Sequence, residues 1–366
     1  MRNSFILTLA GLITTCSLLQ SAQAKPKMCL IRPSADGTHF VCADSKSPFI
    51  VWGVQYEHDD GGRITGDQWE KHLPEVAEDF KIIKAHGANI IRLHFATNKL
   101  LPTPTEPNPQ AIREMKQLLK LAEETGLYLD ITGLACYYKQ DVPPWYAQAD
   151  EKLRWEVQAR FWETMAEVCK DSNAIFCYDL MNEPIVSGPK EKGYLGFDEF
   201  AGRTFLQAIT IEPGNRKSEE IAKSWVEKLT AAIRKHDKKH MITVGEIPWA
   251  QVWPGAKSPF YHTPAASSLD YISIHVYPES GKMDQAINAI KSYPAGKPIV
   301  IEETFPLSCS MPEWENFFYR SKPLVNGWIS AYWRHNPGYD YLMKIWLENF
   351  PRITYQGFDQ NTLWCK

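Results

Sequence analysis

Apolar residues along this chain fall into two alternating patterns. Short runs rich in β-branched and aromatic residues recur at 49–55 (FIVWGVQ), 88–94 (ANIIRLH), 127–132, 174–181 (AIFCYDLM), 240–244, 271–276, 298–301 and 327–332. Runs of that length and composition predict strands covered on both faces, as in parallel sheets. Between them lie segments of helical period. One helix is predicted over 74–86, with Val76, Phe80 and Ile83 on one face and Gly87 as its stop. Others are predicted over 110–125, ending at Gly126, over 153–170, over 218–238, and near 340–349. Eight strand–helix alternations without a linker predict an α/β chain folded as one (β/α)8 TIM barrel. A doubly wound open sheet is the alternative, but no G-x-G-x-x-G follows any strand, so a dinucleotide site is unsupported.

The N-terminus stands apart from this alternation. Met1-Arg2-Asn3 is followed by an apolar run from Phe5 to about Leu19 and then Ala22-Gln23-Ala24, the layout of a cleavable secretory signal over 1–24. The apolar run is shorter than the ~20 residues a spanning helix needs. The expected mature domain is therefore 25–366, secreted or periplasmic, with no membrane span after cleavage. Export permits disulfides. Of eight cysteines, Cys16 lies in the signal, which leaves seven. Cys29 and Cys42 flank a predicted hairpin turning at Asp36-Gly37 and are candidates to bond. Cys169 and Cys177 form a weaker pair, and Cys136, Cys309 and Cys365 are unassigned. A net charge of −3 with scattered signs provides no nucleic-acid footprint. Thirteen Trp and sixteen Tyr exceed what a core alone asks for, and flat rings suit the C–H faces of sugars. A long Gly- and Pro-containing insertion over 185–217 is expected to form a lid or binding rim.

The chemistry concentrates where apolar strands end. AIFCYDLMNEP (174–184) carries Glu183 past its last strand residue, and KPIVIEETF (297–305) ends in Glu302 and Glu303, about 120 residues on. Strand ends on the C-terminal face of a parallel barrel form its active site. Two strand-end carboxylates are the minimal equipment for glycoside hydrolysis. Adjacent strand residues point to opposite faces, so one of Glu302 and Glu303 is expected to enter the barrel mouth.

YDLMNEP, then IHVY, then KPIVIEE in that order resembles the clan A retaining barrel glycosidases, and most of all glycoside hydrolase family 5, the cellulase family. The resemblance extends from about 49 to 349. It implies Glu183 as general acid/base, Asn182 on the sugar 2-hydroxyl and Glu303 as nucleophile, with Glu302 standing where the family has a small residue. It further implies Arg92 holding the nucleophile ionised, His94 facing the same way, and His275 with Tyr277 as the strand-six pair, Tyr277 donating to the nucleophile. Trp145, Trp249, Trp253 and Trp333 are stacking candidates. Two departures concern the sugar site. Thr132-Gly133-Leu134 ends strand three where the family usually has histidine, and Ala331, before Tyr332 and Trp333, stands near the place of a tryptophan under the reacting sugar.

No metal or cofactor is expected, since no H-E-x-x-H occurs and His58, Asp59 and Asp60 read as an exposed acidic loop. No G-x-S-x-G supports an esterase. The resulting expectation is a secreted retaining β-glycosidase or endo-β-glycanase on β-linked glucan or mannan. A carbohydrate-binding barrel without turnover, and a transglycosylase using the same residues, are the alternatives. The sequence leaves oligomeric state open, as it does endo against exo attack.

Overall fold

The computed structural model describes residues 28–56, 69–139, 142–195 and 204–333. The proposed signal, the 57–66 acidic loop, the helix near 340–349 and Cys365 lie outside the described residues. Three short strands open the fold: β1 (Ile31–Pro33), β2 (Phe40–Cys42) and β3 (Pro48–Phe49), paired antiparallel in one small sheet. The barrel follows with β4 (Val51–Tyr56), α1 (Trp69–Ala85), β5 (Ile90–Ala96), α2 (Thr97–Leu100), α3 (Pro109–Thr125), β6 (Tyr128–Ala135), α4 (Pro144–Ala147), α5 (Glu151–Cys169) and β7 (Ile175–Asp179). Next come β8 (Pro184–Ser187), β9 (Gln207–Thr210), α6 (Ser218–His236), β10 (Met241–Thr243), β11 (Gly245–Glu246), α7 (Trp249–Val252), β12 (Ile272–His275), α8 (Met283–Lys291), β13 (Ile299–Thr304), α9 (Met311–Ser321) and β14 (Gly327–Trp333).

The barrel sheet is parallel throughout, in the order β10-β7-β6-β5-β4-β14-β13-β12-β11. Only Val244 separates β10 from β11, so they are two halves of one stave. The first half pairs with β7 and the second with β12, and the ring closes as a (β/α)8 barrel. Eight staves thus match the eight predicted strands. The helices α8 and α9, for which no bounds were predicted, complete the outer layer. Helix α1 begins at Trp69, so Pro74, the first residue predicted, sits inside it and removes one i→i−4 hydrogen bond from its second turn. Helix α3 is bounded by Asn108, whose side chain accepts from the Gln110 N–H, and by Gly126 at φ 69°.

The N-terminal sheet plugs the bottom of the barrel. Phe40 packs edge-on against Phe176 and Tyr271, and Phe49 packs against Tyr128 and Phe176, all with ring centroids 5.2–5.9 Å apart. These rings join Val51, Ile90, Met241, Val300 and Ile329 in one buried cluster distinct from the strand–helix core. The plug is tied by a Cys29–Cys42 disulfide, as the hairpin reading anticipated. The weaker pairing does not form: Cys169 and Cys177 are both buried free thiols, as is Cys136, and Cys309 is free and partly buried.

The insertion after β7 is more ordered than a bare loop. Its strands β8 and β9 pair in parallel, and three contacts hold it to the barrel wall. Trp155 Nε1 donates to the Ile209 carbonyl at 3.0 Å, Gln207 Nε2 donates to the Leu134 carbonyl at 2.9 Å, and the Arg154 guanidinium stacks between the rings of Tyr146 and Tyr194. Residues 196–203 of the insertion lie outside the description. Among the described residues no helix is long and apolar enough to cross a membrane.

Replacing Phe49 by Ala should remove the plug's contact with Tyr128 and Phe176 and cost about 3–5 kcal/mol. Chemical denaturation would show a lowered midpoint, while KM for substrate at the opposite end of the barrel stays unchanged.

Candidate active site

Alternation along each stave builds the lumen in layers. Above the apolar plug, positions two residues further along the strands are polar: Arg92 follows Ile90, Asp130 follows Tyr128, Ser273 follows Tyr271 and Glu302 follows Val300. Arg92 is fully buried and its guanidinium organises the layer above. Nη1 donates to Glu303 and to Gln55 Oε1 at 3.3 Å, and Nη2 donates to Asp179 Oδ2 at 2.9 Å and Asn182 Oδ1 at 3.1 Å. Its Nε lies 3.6 Å from Glu302 Oε2.

Both glutamates of β13 therefore face inward, against the expectation that strand alternation would admit one. The reason is a bulge. Ile301 pairs with Trp328 and Thr304 with Ser330, so three steps on β13 oppose two on β14. The extra residue reorients the chain between Glu302 and Glu303, and strict alternation fails there. Glu302 remains one layer down while Glu303 enters the mouth.

Glu303 also accepts from the Tyr277 hydroxyl at 2.6 Å. Burial alone would raise its carboxyl, but the His275 and Arg92 charges hold it below the ordinary glutamate value. Glu183 ends the segment after β7 in a left-handed backbone conformation, φ 46°, unusual for a side-chain-bearing residue and typical of strained functional positions. Its N–H donates to the Gly245 carbonyl at 2.8 Å, and its carboxylate meets His275 Nδ1 at 2.8 Å. One atom each of Glu183, His275 and Glu303 lie within 4.8 Å of one another. Burial disfavours a charged His275, yet Glu303, Glu183 and Glu302 lift it to about 10, so the ring is an imidazolium at neutral pH.

Gly245 makes this crowding possible. A Cβ there would stand 2.5 Å from Glu302 Oε2 and 2.9 Å from both Asp179 Oδ2 and His275 Nε2. The space is taken by the site's own carboxylates.

The other predicted residues distribute unevenly. Asn182 lies beside Arg92, and Tyr277 and His275 meet the carboxylates directly. His94 faces the rim, its Nδ1 paired with the Tyr137 hydroxyl at 2.8 Å. Trp249 packs on Trp253 with centroids 5.4 Å apart and planes 31° apart, and Trp253 is half exposed. Trp145 packs edge-on to Tyr146 and donates to the Pro102 carbonyl at 3.1 Å; neither contact reaches the carboxylate pair. Trp333 is misplaced by the sequence reading: it is buried and packs edge-on against His86 of the helix layer. Ser330 pairs with Val54 and Trp333 with Tyr56, so a second bulge turns the ring outward.

Several site residues escaped the sequence reading. Asp179 accepts from Arg92, from Thr132 Oγ1 at 2.9 Å and from the Gly245 N–H at 2.7 Å; burial and the Glu302 charge push it to about 6. Glu246 accepts from Tyr293, Ser258 and Trp249, and burial carries it to about 8 against those donors. The signal that could have found Asp130 and Asp179 is an acid inside an otherwise apolar strand, which has to face either the lumen or a buried partner.

The raised His275 carries a stability consequence. A group protonated more strongly when folded contributes fully below its unfolded value, 6.5, and loses that contribution as pH climbs to about 10. Thermal unfolding should therefore show a melting temperature declining between pH 6.5 and 10, and His275→Gln should flatten that decline.

Relatives bear on the same architecture. The family model described as Cellulase (glycosyl hydrolase family 5) matches residues 48–308. No curated protein sequence matches the chain. Among solved structures, an exo-β-1,4-mannosidase from Opitutaceae bacterium strain TAV5 superposes with a TM-score of 0.66 at 17% identity, covering 91% of this chain and 63% of that longer one. The β-mannanase of the blue mussel Mytilus edulis superposes with a TM-score of 0.65 at 15% identity, covering 90% and 97% of the two chains. The β-1,4-mannanase of the sea hare Aplysia kurodai superposes with a TM-score of 0.63 at 16% identity, covering 89% and 97%. At such identities these structures attest the fold, and the family match spans most of the chain and both carboxylates of the pair. The chain belongs to glycosyl hydrolase family 5 and is a glycoside hydrolase.

Proposed function

We propose that the protein is a retaining β-glycosidase working by double displacement on β-1,4-linked mannan- or glucan-type chains. The observation that carries this reading is the approach of Glu183 and Glu303, with one oxygen of each within 4.8 Å. Retaining enzymes hold their carboxyl groups about 5–5.5 Å apart, whereas inverting ones leave about 6.5–9.5 Å for a water. The environments of the two carboxylates suit different tasks. Glu303, bonded by Arg92 and Tyr277 and facing His275, stays ionised and attacks the anomeric carbon. Glu183, open to the mouth, protonates the leaving oxygen, then removes the proton of the water that hydrolyses the glycosyl–enzyme ester. Asn182, whose Oδ1 is engaged by Arg92, keeps its amide N–H for the sugar 2-hydroxyl. The Trp249–Trp253 pair offers an aromatic face to a neighbouring sugar, its angle fixed by Glu246. Mannan ranks first among substrates because the solved structures above are named as mannanases and a mannosidase. The anchored 185–217 insertion forms one wall of the binding cleft.

Export is part of the same proposal. The Cys29–Cys42 disulfide supports an oxidising destination, and a polymer substrate is met outside the cell. N-terminal sequencing of the exported protein should read from Lys25; a chain that retains Met1 would overturn cleavage.

The first assay is reducing-end release from β-mannans, β-glucans, xylans and aryl β-glycosides, with NMR of the first-formed anomer. Activity on mannan with retention is expected. Glu183→Gln should lower kcat at least about 100-fold, the scale of general acid–base catalysis, and Glu303→Ala should abolish turnover. Inversion of the anomer, or full activity in either variant, would sink the double-displacement reading.

A further inference from the structure

Glu302 is the residue that the catalytic proposal leaves unused. The β13 bulge seals it one layer beneath Glu303, with a contact set of its own. Its Oε2 accepts from Ser273 Oγ and lies 3.6 Å from Arg92 Nε and 3.7 Å from His275 Nε2, while its Oε1 accepts from the Tyr271 hydroxyl at 3.3 Å. Glu302 thus touches, from below, the same two cations that hold Glu303 from the side. Across the lumen, one atom each of Asp130, Cys177 and Glu302 lie within 4.8 Å of one another. Asp130 is completely buried, and neither of its oxygens meets a hydrogen-bond partner elsewhere among the described residues. A buried carboxylate in that position would have only the weak S–H donor of Cys177, whereas a carboxylic acid could donate its proton across to Glu302.

Charge balance points the same way. The enclosed cations are Arg92 and His275. The enclosed acids are Glu302, Glu303, Asp179 and Asp130, with Glu246, raised to about 8 by burial, neutral beyond them; full ionisation of the four would trap two excess negative charges in a dry lumen, at a cost of several kcal/mol per ion. Taking up a proton at Asp130 removes one of them. Burial and the neighbouring Glu302 charge push the Asp130 carboxyl well above the ordinary aspartate range, while Arg92 and His275 hold Glu302 down to about 2. The other titratable neighbours of the pair agree: the Cys177 thiol and Tyr271 hydroxyl are held neutral by burial, and Asp179 faces Arg92 from the opposite side. A divalent cation in the Asp130–Cys177–Glu302 cluster would stand against the Arg92 guanidinium.

We propose that Asp130 and Glu302 share one proton as a buried acid–carboxylate pair, and that this pair holds Arg92 and His275 from beneath as a positioning device for the Glu303 carboxylate. The inference rests on the glycosidase reading for its effect on rate, but the pair itself is independent of that reading. Because the two acids share a site, the negative charge can move. When Glu302 is neutralised, Asp130 gives up its proton and takes over part of the support of Arg92. The pair then titrates as a unit.

The test is a double-mutant cycle of Glu302→Gln and Asp130→Asn on the full chain, with kcat, KM and the pH–rate profile measured on the best substrate of the assay above. Glu302→Gln is expected to lower kcat about 10-fold with KM changed little, and to shift the alkaline limb to lower pH, because His275 loses one of three anions. Asp130→Asn, whose amide still donates to Glu302, should lower kcat by less than that. The double variant should lose about 10-fold more than the product of the singles, since no carboxylate is left to take the charge; residues in direct contact couple on that scale. Additive losses with an unmoved alkaline limb would overturn the proposal. So would a stoichiometric metal ion in the purified protein whose removal by chelator abolishes activity.

A second readout needs no turnover. Buried neutral Asp130 loses stability relative to the unfolded chain as pH rises above about 4, the ordinary aspartate value, and Asn does not. Asp130→Asn should therefore melt higher than the parent by a margin that widens from pH 4 to pH 8. A margin that is flat with pH would refute the shared proton even if Glu183→Gln and Glu303→Ala had already refuted the glycosidase reading.

Discussion

The burial of one guanidinium governs this structure. Arg92 is fully enclosed in the barrel, and an uncompensated charge there would cost more than the fold could tolerate. The partners that engage it come from three places far apart in sequence: Gln55 on β4, Asp179 at the end of β7 with Asn182 just beyond it, and Glu302 and Glu303 on β13. The planar fork of arginine suits this role, because its donors reach separate acceptors in fixed directions, which the single ammonium of lysine could not do. The groups that neutralise the cation also crowd around Glu303, so the requirement that stabilises Arg92 fixes the Glu303 carboxylate as well.

That polar layer is possible only because the barrel is built unequally along its axis. Below it, the Phe40 and Phe49 rings of the N-terminal sheet close the lumen with an apolar plug, and outside it the strand–helix core excludes water from the walls. The charges therefore sit in a low-dielectric cup open at one end. In such a cup each pairing is strong and each missing partner is costly. This explains why so many of the acids have displaced titration: Asp179 at about 6 and Glu246 at about 8, both raised by burial, while Glu302 is drawn down to about 2 by Arg92 and His275. Gly245 shows how little room is left, since even a methyl group would meet three of the site's side chains.

The rim is held in place by the same economy of contacts. The insertion carrying β8 and β9 is pinned by Trp155, Gln207 and the stacked Arg154, so its inner wall is part of the barrel rather than a free flap. Opposite in character, α7 turns Trp253 outward while Glu246 grips Trp249 from within.

The alternation of apolar runs and helical periods determined the eight staves, and the strand-end positions of Glu183 and Glu303 marked the mouth, because period and strand termination are local properties of the chain. The hairpin over Cys29 and Cys42 was legible for the same reason. The tertiary structure alone decided the inward turn of Glu302 beside Glu303, the outward turn of Trp333, and the identity of Arg92's partners. Both turns come from bulges, which are set by how a strand pairs with its neighbour across the sheet, and no period along a single strand records them. Asp130, Asp179 and Glu302 stood in the sequence as acids within apolar runs, but which charge would neutralise which depended on closing the barrel. Only that closure brings residues some 200 positions apart to within a hydrogen bond of each other.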